Sequence, residues 1–289
     1  MSLTLNPLAA RPRLARRMET VVGAFAIQPG GLPPTGWQPS GLNFFAREHF
    51  GGIACGMILE RVDVHDCEDR LQVGLHRGRY DFVLARLTPG QRVLEVGTGA
   101  GTFTQELVAK CGSYVGVEYD ADSCLEARKK TGGTAAIVRA DARALPLADN
   151  QFSFIICLEV LEHLGDFAAG VRNIHRCIRP DGTAVISVPY RRKGGKSDIN
   201  PYHLYEPGEQ ELVSSFRQHF EQVEVYYQYF RETPWMTLAR RLRVRRLFGL
   251  ARIYAELTAG APRAMERVHI DRDGPGWRIT LMLVVRKKK

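Results

Sequence analysis

The sequence predicts an α/β fold in which a largely parallel sheet is wound with helices on both faces. From residue 91 onward, short segments rich in Val, Ile and Phe alternate with helical segments. A glycine-rich turn follows the first of the short segments. Strands that are separated by helices are typical of parallel sheets, because each helix carries the chain back across the sheet.

Each element follows from its local pattern. The predicted strands are QRVLEV, SYVGVEY, AAIVRA, FSFIICL, TAVISVP, QVEVYYQYF and a C-terminal WRITLMLVVRK. The predicted helices are DRLQVGLHRGRYDFVLARL, TFTQELVAKC, ADSCLEARKKT, FAAGVRNIHRCI and EQELVSSFRQHF. No helix clearly crosses between the last two strands, and the segment between them is too long for a hairpin turn.

The composition along the chain suggests three parts. Residues 1–45 contain the Pro/Gly-rich tract QPGGLPPTGWQPSG and are expected to form a flexible arm. Residues 46–90 are expected to form a helical cap that leads into the core. Residues 91–289 are expected to form the main domain, with a basic helical insertion at about 231–276.

Composition, charge and cysteine content indicate which partners and which cellular location to expect. The chain has 289 residues, a formal net charge of +9 and a pI near 9.4, which favours acidic partners such as phosphates, nucleic acid or an anionic membrane surface. Its six cysteines form no C-x-x-C pair, so we expect reduced thiols. The sequence has no transmembrane segment and no convincing signal peptide, so a cytoplasmic location is expected.

The stretch VLEVGTGAGTF ends a strand and then supplies Gly97, Gly99 and Gly101. Glycines at such a turn let the backbone approach a ligand and aim a helix N-terminus at it. A dinucleotide site would have its third glycine where Thr102 stands, and Glu95 precedes the first glycine by two positions. Both details argue against NAD.

Two carboxylates follow the next strands. Glu118 ends the second strand, 21 residues after Gly97, where a carboxylate can accept both hydroxyls of a ribose. Asp141 follows the third strand, where it can take an adenine amino group beside the backbone N–H of Ala142. The loop and these two residues together predict a nucleoside-containing ligand.

These motifs resemble the class I S-adenosylmethionine-dependent methyltransferases over residues 76–230. The matching segments are VLEVGTGAG, GVEYD, RADARALPLADNQFSFIICLEVLEHL and IRPDGTAVISVPY. The resemblance implies a Rossmann-like, seven-stranded sheet whose last strand is antiparallel, and S-adenosyl-L-methionine as the cofactor. The cofactor-binding residues that it implies are Glu95, Gly97, Thr98, Gly99, Gly101, Glu118, Tyr119, Asp141, Ala142 and Glu159.

The helix before the glycine loop extends this resemblance. HRGRY is similar to an H-x-x-R-Y motif of methyltransferases found among bacterial glycan and polysaccharide genes. His76, Arg79 and Tyr80 occupy the motif positions, and Arg79 and Tyr80 are expected to contact the cofactor.

The stretch CLEVLEHL places Glu159, Glu162 and His163 at positions i, i+3 and i+4, which would share one side of a helix. Three interpretations are open. Glu159 touches cofactor or substrate while the others cap the helix, or His163 takes a proton from a hydroxyl group. In the third interpretation the three residues bind a metal ion.

The metal interpretation draws on a second resemblance. E-x-x-E-H is similar to a cluster in small-RNA 2′-O-methyltransferases and in ubiquinone-pathway O-methyltransferases. In the RNA enzymes a further histidine, three residues before a glutamate, completes a magnesium site, and HLYE supplies His203 and Glu206 at that spacing. Mg2+ or Mn2+ held by Glu159, Glu162, His163 and His203 would lower the pKa of an alcohol.

The segment LARRLRVRRLFGLARIYAEL, residues 238–257, carries six arginines and a broken apolar stripe. It is interpreted either as a basic amphipathic helix on an anionic membrane or phosphorylated substrate, or as a lid helix with a solvated arginine face.

The predicted function is therefore methyl transfer to a hydroxylated small molecule or glycan, with His163, Glu159 and His203 as catalytic candidates. One alternative is a metal-dependent 2′-O-methyltransferase acting on RNA, whose phosphates the positive charge would hold. Another is a subunit that binds the cofactor without catalysis.

Overall fold

A mixed sheet of eight strands forms the centre of the fold. The computed structural model describes residues 70–197, 200–230, 268–273 and 277–288. The strands lie in the order β3-β2-β1-β4-β5-β8-β6-β7. They are β1 Arg92–Val96, β2 Ser113–Glu118, β3 Ala136–Arg139, β4 Phe152–Leu158, β5 Ile178–Pro189, β6 Gln222–Phe230, β7 Val268–Asp271 and β8 Trp277–Arg286.

Five α-helices and one short turn of 3-10 helix accompany the described strands. The helices are α1 Arg70–Leu84, α2 Thr104–Lys110, α3 Ala121–Thr131, α4 Phe167–Cys177 and α5 Glu209–Arg217, and the 3-10 turn is Leu161–His163. Asp120 caps α3 by accepting a hydrogen bond from the N–H of Ser123 at 2.8 Å, and Gly132 ends the helix in a left-handed conformation.

Strands β1 to β5 pair with one another in parallel. The chain runs outward from β1 through β2 to β3 and then returns to β4 on the other side of β1. The carboxyl ends of β1 and β4 therefore meet where the strand order reverses. In open α/β sheets a crevice for ligands forms at this point.

The antiparallel part confirms the predicted fold class and corrects the strand count. β8 pairs antiparallel with both β5 and β6, as expected for the last strand. The eighth strand is β7, which pairs antiparallel with the outer side of β6. It lies inside the predicted insertion, where a four-residue strand is too short to give a clear alternating pattern.

Apolar side chains cover both faces of the sheet. One cluster contains Leu94, Ile155 and Ile186 with Leu161 and Phe216. The other contains Val93, Phe154 and Val185 with residues of α1, α2 and α3. Burial on both faces explains why the central strands are almost continuously apolar.

Several expectations fall on other parts of the chain. The N-terminal arm at 1–45 and the arginine-rich segment at 238–257 lie outside the described residues. Among the described helices, none has the length and apolar character that crossing a bilayer requires. The four cysteines within the described ranges form no disulfide with one another, and the expected reduced state of the thiols stays a prediction.

Candidate functional site

The glycine loop connects β1 to α2 at the crevice. Gly97, Gly99 and Gly101 have φ angles of 80°, 55° and 75°, a region that side chains rarely allow. A Cβ on Gly97 would clash with Val160, whereas a Cβ on Gly99 would have nothing within 4 Å. The loop therefore packs tightly against the chain after β4 and presents Gly99 to open space.

Glu95 is buried below this loop and accepts three hydrogen bonds. Its donors are the hydroxyls of Tyr80 at 2.7 Å, Thr98 at 3.1 Å and Tyr114. Burial raises the pKa of Glu95, and the three hydrogen bonds offset that effect only in part. Glu95 thus ties α1 to β1 and β2, and it shapes the loop from beneath.

Tyr80 completes this arrangement from α1. Its ring stacks on Phe103 with centroids 4.0 Å apart and an interplanar angle of 19°. Burial, followed by the charge of Glu95, raises the pKa of Tyr80, so the phenol stays protonated and donates its hydrogen bond. Tyr80 thus lies on Glu95 beside the glycine loop, and its expected contact with the cofactor stays a prediction.

Glu118 lies at the end of β2, beside the loop. Its Oε2 accepts from the N–H of Gly99 at 2.9 Å, and its Oε1 accepts from the N–H of Asp120 at 2.9 Å. A carboxylate offers about four lone-pair sites, so two acceptor sites are left for a ligand. The next residue, Tyr119, is exposed.

Asp141 follows β3 and is held by Arg143. The guanidinium donates to both carboxylate oxygens, at 2.6 Å from Nη2 and at 3.0 and 3.1 Å from Nε. These hydrogen bonds keep the pKa of Asp141 below its usual range. Ala142 packs against the apolar core. A ligand at Asp141 must therefore share the carboxylate with Arg143.

The backbone at the end of β4 differs from the prediction that Glu159, Glu162 and His163 share one side of a helix. Glu159 is not on a helix: its φ of 56° is left-handed, and only Leu161–His163 forms a turn of 3-10 helix. The N–H of Glu159 donates to Ser187 O at 3.0 Å, and Ser187 Oγ donates to Glu159 Oε1 at 2.6 Å. These bonds to β5 hold Glu159 at the strand end, so it does not share a helix face with Glu162 and His163.

Glu162, His163 and His203 come together. Each offers one ligand atom, and these three atoms lie within 4.8 Å of one another. The two imidazole rings meet edge to face with centroids 4.8 Å apart. Glu159 is not part of this group. The structure therefore brings together three of the four residues that were predicted to bind a metal.

Glu162 is the unusual member of this group. It has no exposed surface, and neither carboxylate oxygen has a hydrogen-bond partner among the described residues. Burial, and then the charge of Glu159, raises the pKa of Glu162 well above its usual value, and the charge of Arg79 offsets this only in part. Buried carboxylates without partners are rare, because their desolvation is costly.

The two histidines are oriented by neighbouring acceptors. Nδ1 of His163 lies 3.1 Å from the carbonyl oxygen of Tyr202, and Nδ1 of His203 lies 2.5 Å from Oε1 of Glu206. Arg191 donates to the other oxygen of Glu206. Burial would raise the pKa of Glu206, but the hydrogen bonds from its neighbours outweigh this and lower the pKa.

Arg79 reaches the same edge of the sheet from α1. It is 4% exposed, and its Nη1 donates to Gln228 Oε1 at 3.0 Å and to Thr280 Oγ1 at 3.4 Å. Its Nε has no partner among the described residues. Arg79 was predicted from the HRGRY motif. Gln228 and Thr280 were not, because they lie 149 and 201 positions further along the chain and nothing in their local sequence marks them.

Comparisons with known proteins agree with this geometry. Residues 94–186 match the family model described as a methyltransferase domain. A probable S-adenosylmethionine-dependent methyltransferase of Mycobacterium tuberculosis is 30% identical over 142 residues, which cover 47% of this chain and 52% of that protein. A ubiquinone/menaquinone biosynthesis C-methyltransferase of Shewanella is 29% identical over 128 residues, covering 41% and 51%. The chain thus spans about half the length of the curated relatives it matches.

Solved structures agree on the fold. An S-adenosylmethionine-dependent methyltransferase of Archaeoglobus fulgidus superposes with a TM-score of 0.52 at 16% identity, covering 75% of this chain and 94% of that one. One from Thermotoga maritima gives 0.51 at 18% identity, covering 74% and 91%. Residues 94–186 therefore form a methyltransferase domain, and the S-adenosylmethionine-dependent relatives and the fold of the solved structures agree with this assignment.

Proposed function

We propose that this protein is an S-adenosylmethionine-dependent methyltransferase that methylates a hydroxyl oxygen of a small molecule or glycan, assisted by a divalent cation at Glu162, His163 and His203. The observation that carries the proposal is the buried Glu162 carboxylate, which lacks a partner among the described residues and lies beside two imidazoles. The methyltransferase domain supports the first part of the proposal.

The residues present fit the cofactor. The open space at Gly99 leaves room for a ligand, and Glu118 retains acceptor capacity for ribose hydroxyls. Arg79 has a buried N–H that suits a carboxylate. When bound, S-adenosylmethionine supplies an electrophilic methyl group on a sulfonium. We propose that the residues predicted from the sequence hold it, with Glu95 and Thr98 acting from beneath the loop.

The donor set at Glu162 also fits a cation. One carboxylate and two imidazoles suit Mn2+ or a similar divalent ion, and Mg2+ accepts the same carboxylate with water. The Glu206 carboxylate orients His203 as outer partners of metal-binding histidines do. A cation held there would act as a Lewis acid that lowers the pKa of the acceptor hydroxyl, whose proton would leave to solvent as its oxygen takes the methyl group from the sulfonium. This assignment explains why the Glu162 carboxylate is buried without another partner.

The protein's own residues have three tasks in this proposal. Glu162, His163 and His203, which follow the carboxyl ends of β4 and β5, would hold the cation. The left-handed turn at Glu159 and its bond to Ser187 fix the floor of the site. The 200–206 segment covers the 3-10 turn through the hydrogen bond from Tyr205 N–H to Glu162 O at 3.2 Å. Of the three cluster residues, Glu162 has no exposed surface beneath this segment.

The test is a turnover assay with a panel of hydroxylated small molecules and glycans, each matched with an analogue that lacks the hydroxyl. Formation of S-adenosylhomocysteine is the readout. We expect turnover only with the hydroxyl compounds, lost in EDTA and restored by Mn2+ or Mg2+. Transfer to carbon or nitrogen acceptors instead would contradict O-methylation. If turnover persists in EDTA but disappears in the His163→Ala variant, His163 acts as a general base and the proposed cation is not needed.

A further inference from the structure

Gln228 makes two hydrogen bonds that join β6 to α1. Its side chain has no exposed surface. Oε1 accepts from Arg79 Nη1 at 3.0 Å, and Nε2 donates to the carbonyl oxygen of Leu75 at 2.9 Å. A Cβ on Gly78 would lie 3.2 Å from that Nε2, so the helix passes close to the amide. Both ends of the Gln228 amide are therefore used on α1.

The position of Gln228 in the sheet places Arg79 at the candidate site. Gln228 on β6 is paired with Thr280 on β8, and Thr280 is paired with Pro189 at the end of β5. Thr280 is 1% exposed and also accepts from Arg79. The guanidinium is thus fixed beside the carboxyl end of β5, within electrostatic reach of Glu162.

A long arginine side chain loses much rotational freedom when it is held in one place. Here two buried acceptors, the side chains of Gln228 and Thr280, hold the Arg79 side chain in place. The Nε of Arg79 still has no partner among the described residues. A buried guanidinium with an unused N–H donor is suited to bind an anionic group of a ligand. Its hydrogen bonds to a carboxylate are charge-assisted and therefore stronger than neutral hydrogen bonds.

We propose that Gln228, with Thr280 in support, is a positioning residue that fixes Arg79 for recognition of the carboxylate of the cofactor's amino-acid part. This inference rests on the proposed function. Gln228 touches no ligand itself, and it acts by keeping the guanidinium in place. Loss of Gln228 leaves Arg79 free to turn away, so carboxylate recognition weakens although the adenosine end is held as before.

The experiment compares two ligands by calorimetry: S-adenosylhomocysteine and its decarboxylated analogue. The wild-type protein is expected to prefer the carboxylate-bearing ligand by about tenfold or more, as removal of a charge-assisted hydrogen bond implies. Gln228→Leu is expected to reduce this preference at least about threefold, and Arg79→Met to abolish it. Gln222→Leu, the same substitution at an exposed position of β6, should keep the wild-type preference.

Because the ratio compares two ligands on one protein, a general loss of stability does not change it. Thr280→Val is the second variant, in case Gln228→Leu does not fold, and it should reduce the preference by a smaller factor because its bond is longer. If the wild type binds neither ligand, the proposed function fails. If the wild type shows the preference and folded Gln228→Leu or Thr280→Val keeps it unchanged, the positioning role is overturned while the proposed function stands.

Discussion

The Nδ1 atom of His203 lies 2.5 Å from Oε1 of Glu206. Glu206 is 5% exposed and also accepts from Arg191, so its carboxylate is held on both sides. This pairing fixes the orientation of the His203 ring, since the Nδ1 atom is committed to the carboxylate. The histidine therefore reaches Glu162 and His163 in a single, defined pose.

This relationship predicts how Glu206→Gln changes metal binding. The amide orients the His203 ring less strongly and makes it less basic, so Mn2+ affinity should fall about 10- to 100-fold. Titration of the metal-free protein with Mn2+, followed by calorimetry, measures the change. His203→Ala should lower the affinity at least as much. His219→Ala removes a half-buried histidine that packs against His175 instead, and should bind as the wild type does. Equal affinities in all variants would contradict a metal site.

The two glycines of the loop should respond differently to alanine. Gly97→Ala creates both an unfavourable φ and a clash with Val160, and it should destabilise the protein by about 2 to 4 kcal/mol. Gly99→Ala has only the φ penalty of about 1 kcal/mol, but its methyl group enters the space proposed for the ligand. Urea unfolding and S-adenosylhomocysteine titration measure the two effects. A Gly99→Ala variant that binds with full affinity would exclude that space as the ligand position.

His76 predicts an acid-sensitive component of stability. Burial, and then the charge of Arg79, lowers the pKa of His76 to about 3. An unfolded histidine titrates near pH 6.5, so below that pH the unfolded chain binds more protons than the folded one. Folded stability is therefore lost as the pH falls from about 6.5 toward 3. By pH 5 the wild type should lose about 1 to 2 kcal/mol more than His76→Gln. Urea unfolding at several pH values checks this, and parallel pH profiles would refute it.

Arg143 should compete with the ligand for Asp141. The ion pair is partly exposed and is worth at most about 1 kcal/mol, so a bound adenine can share or displace it. Arg143→Gln should therefore raise the affinity for S-adenosylhomocysteine by up to about fivefold, whereas Asp141→Asn should lower it. Calorimetry on both variants measures the effect. Weaker binding by Arg143→Gln would show instead that the guanidinium positions Asp141 for the ligand.

The parallel half of the fold could be predicted well from the sequence, because its strands and helices depend mainly on residues within each segment. Strands β1, β2 and β4 are short and mostly apolar segments, and α3 and α4 carry their own N-caps, Asp120 and Asp166. The glycine loop was predictable because its φ angles require glycine. β7 was missed, since its pairing depends on the outer side of β6 and not on its own four residues.

Residues of the candidate site could be predicted only where a local sequence motif contains them. Glu162 and His163 were identified from their spacing, and His203 from its resemblance to a known motif. The left-handed turn at Glu159 had no signal, because it follows from bonds to Ser187, 28 residues away. Gln228 and Thr280 were missed for the same reason. Contacts set by the sheet order cannot be derived from local patterns.

The central claim is that the glycine loop and Glu118 bind the nucleoside of S-adenosylmethionine. Calorimetric titration of S-adenosylhomocysteine into the wild type, Glu118→Gln and Asp122→Asn tests it most directly, because Asp122 is a nearby acidic residue on α3. We expect one ligand per chain, an affinity about tenfold lower or more in Glu118→Gln, and wild-type affinity in Asp122→Asn. No binding to the wild type, or equal binding by all three proteins, would contradict the claim.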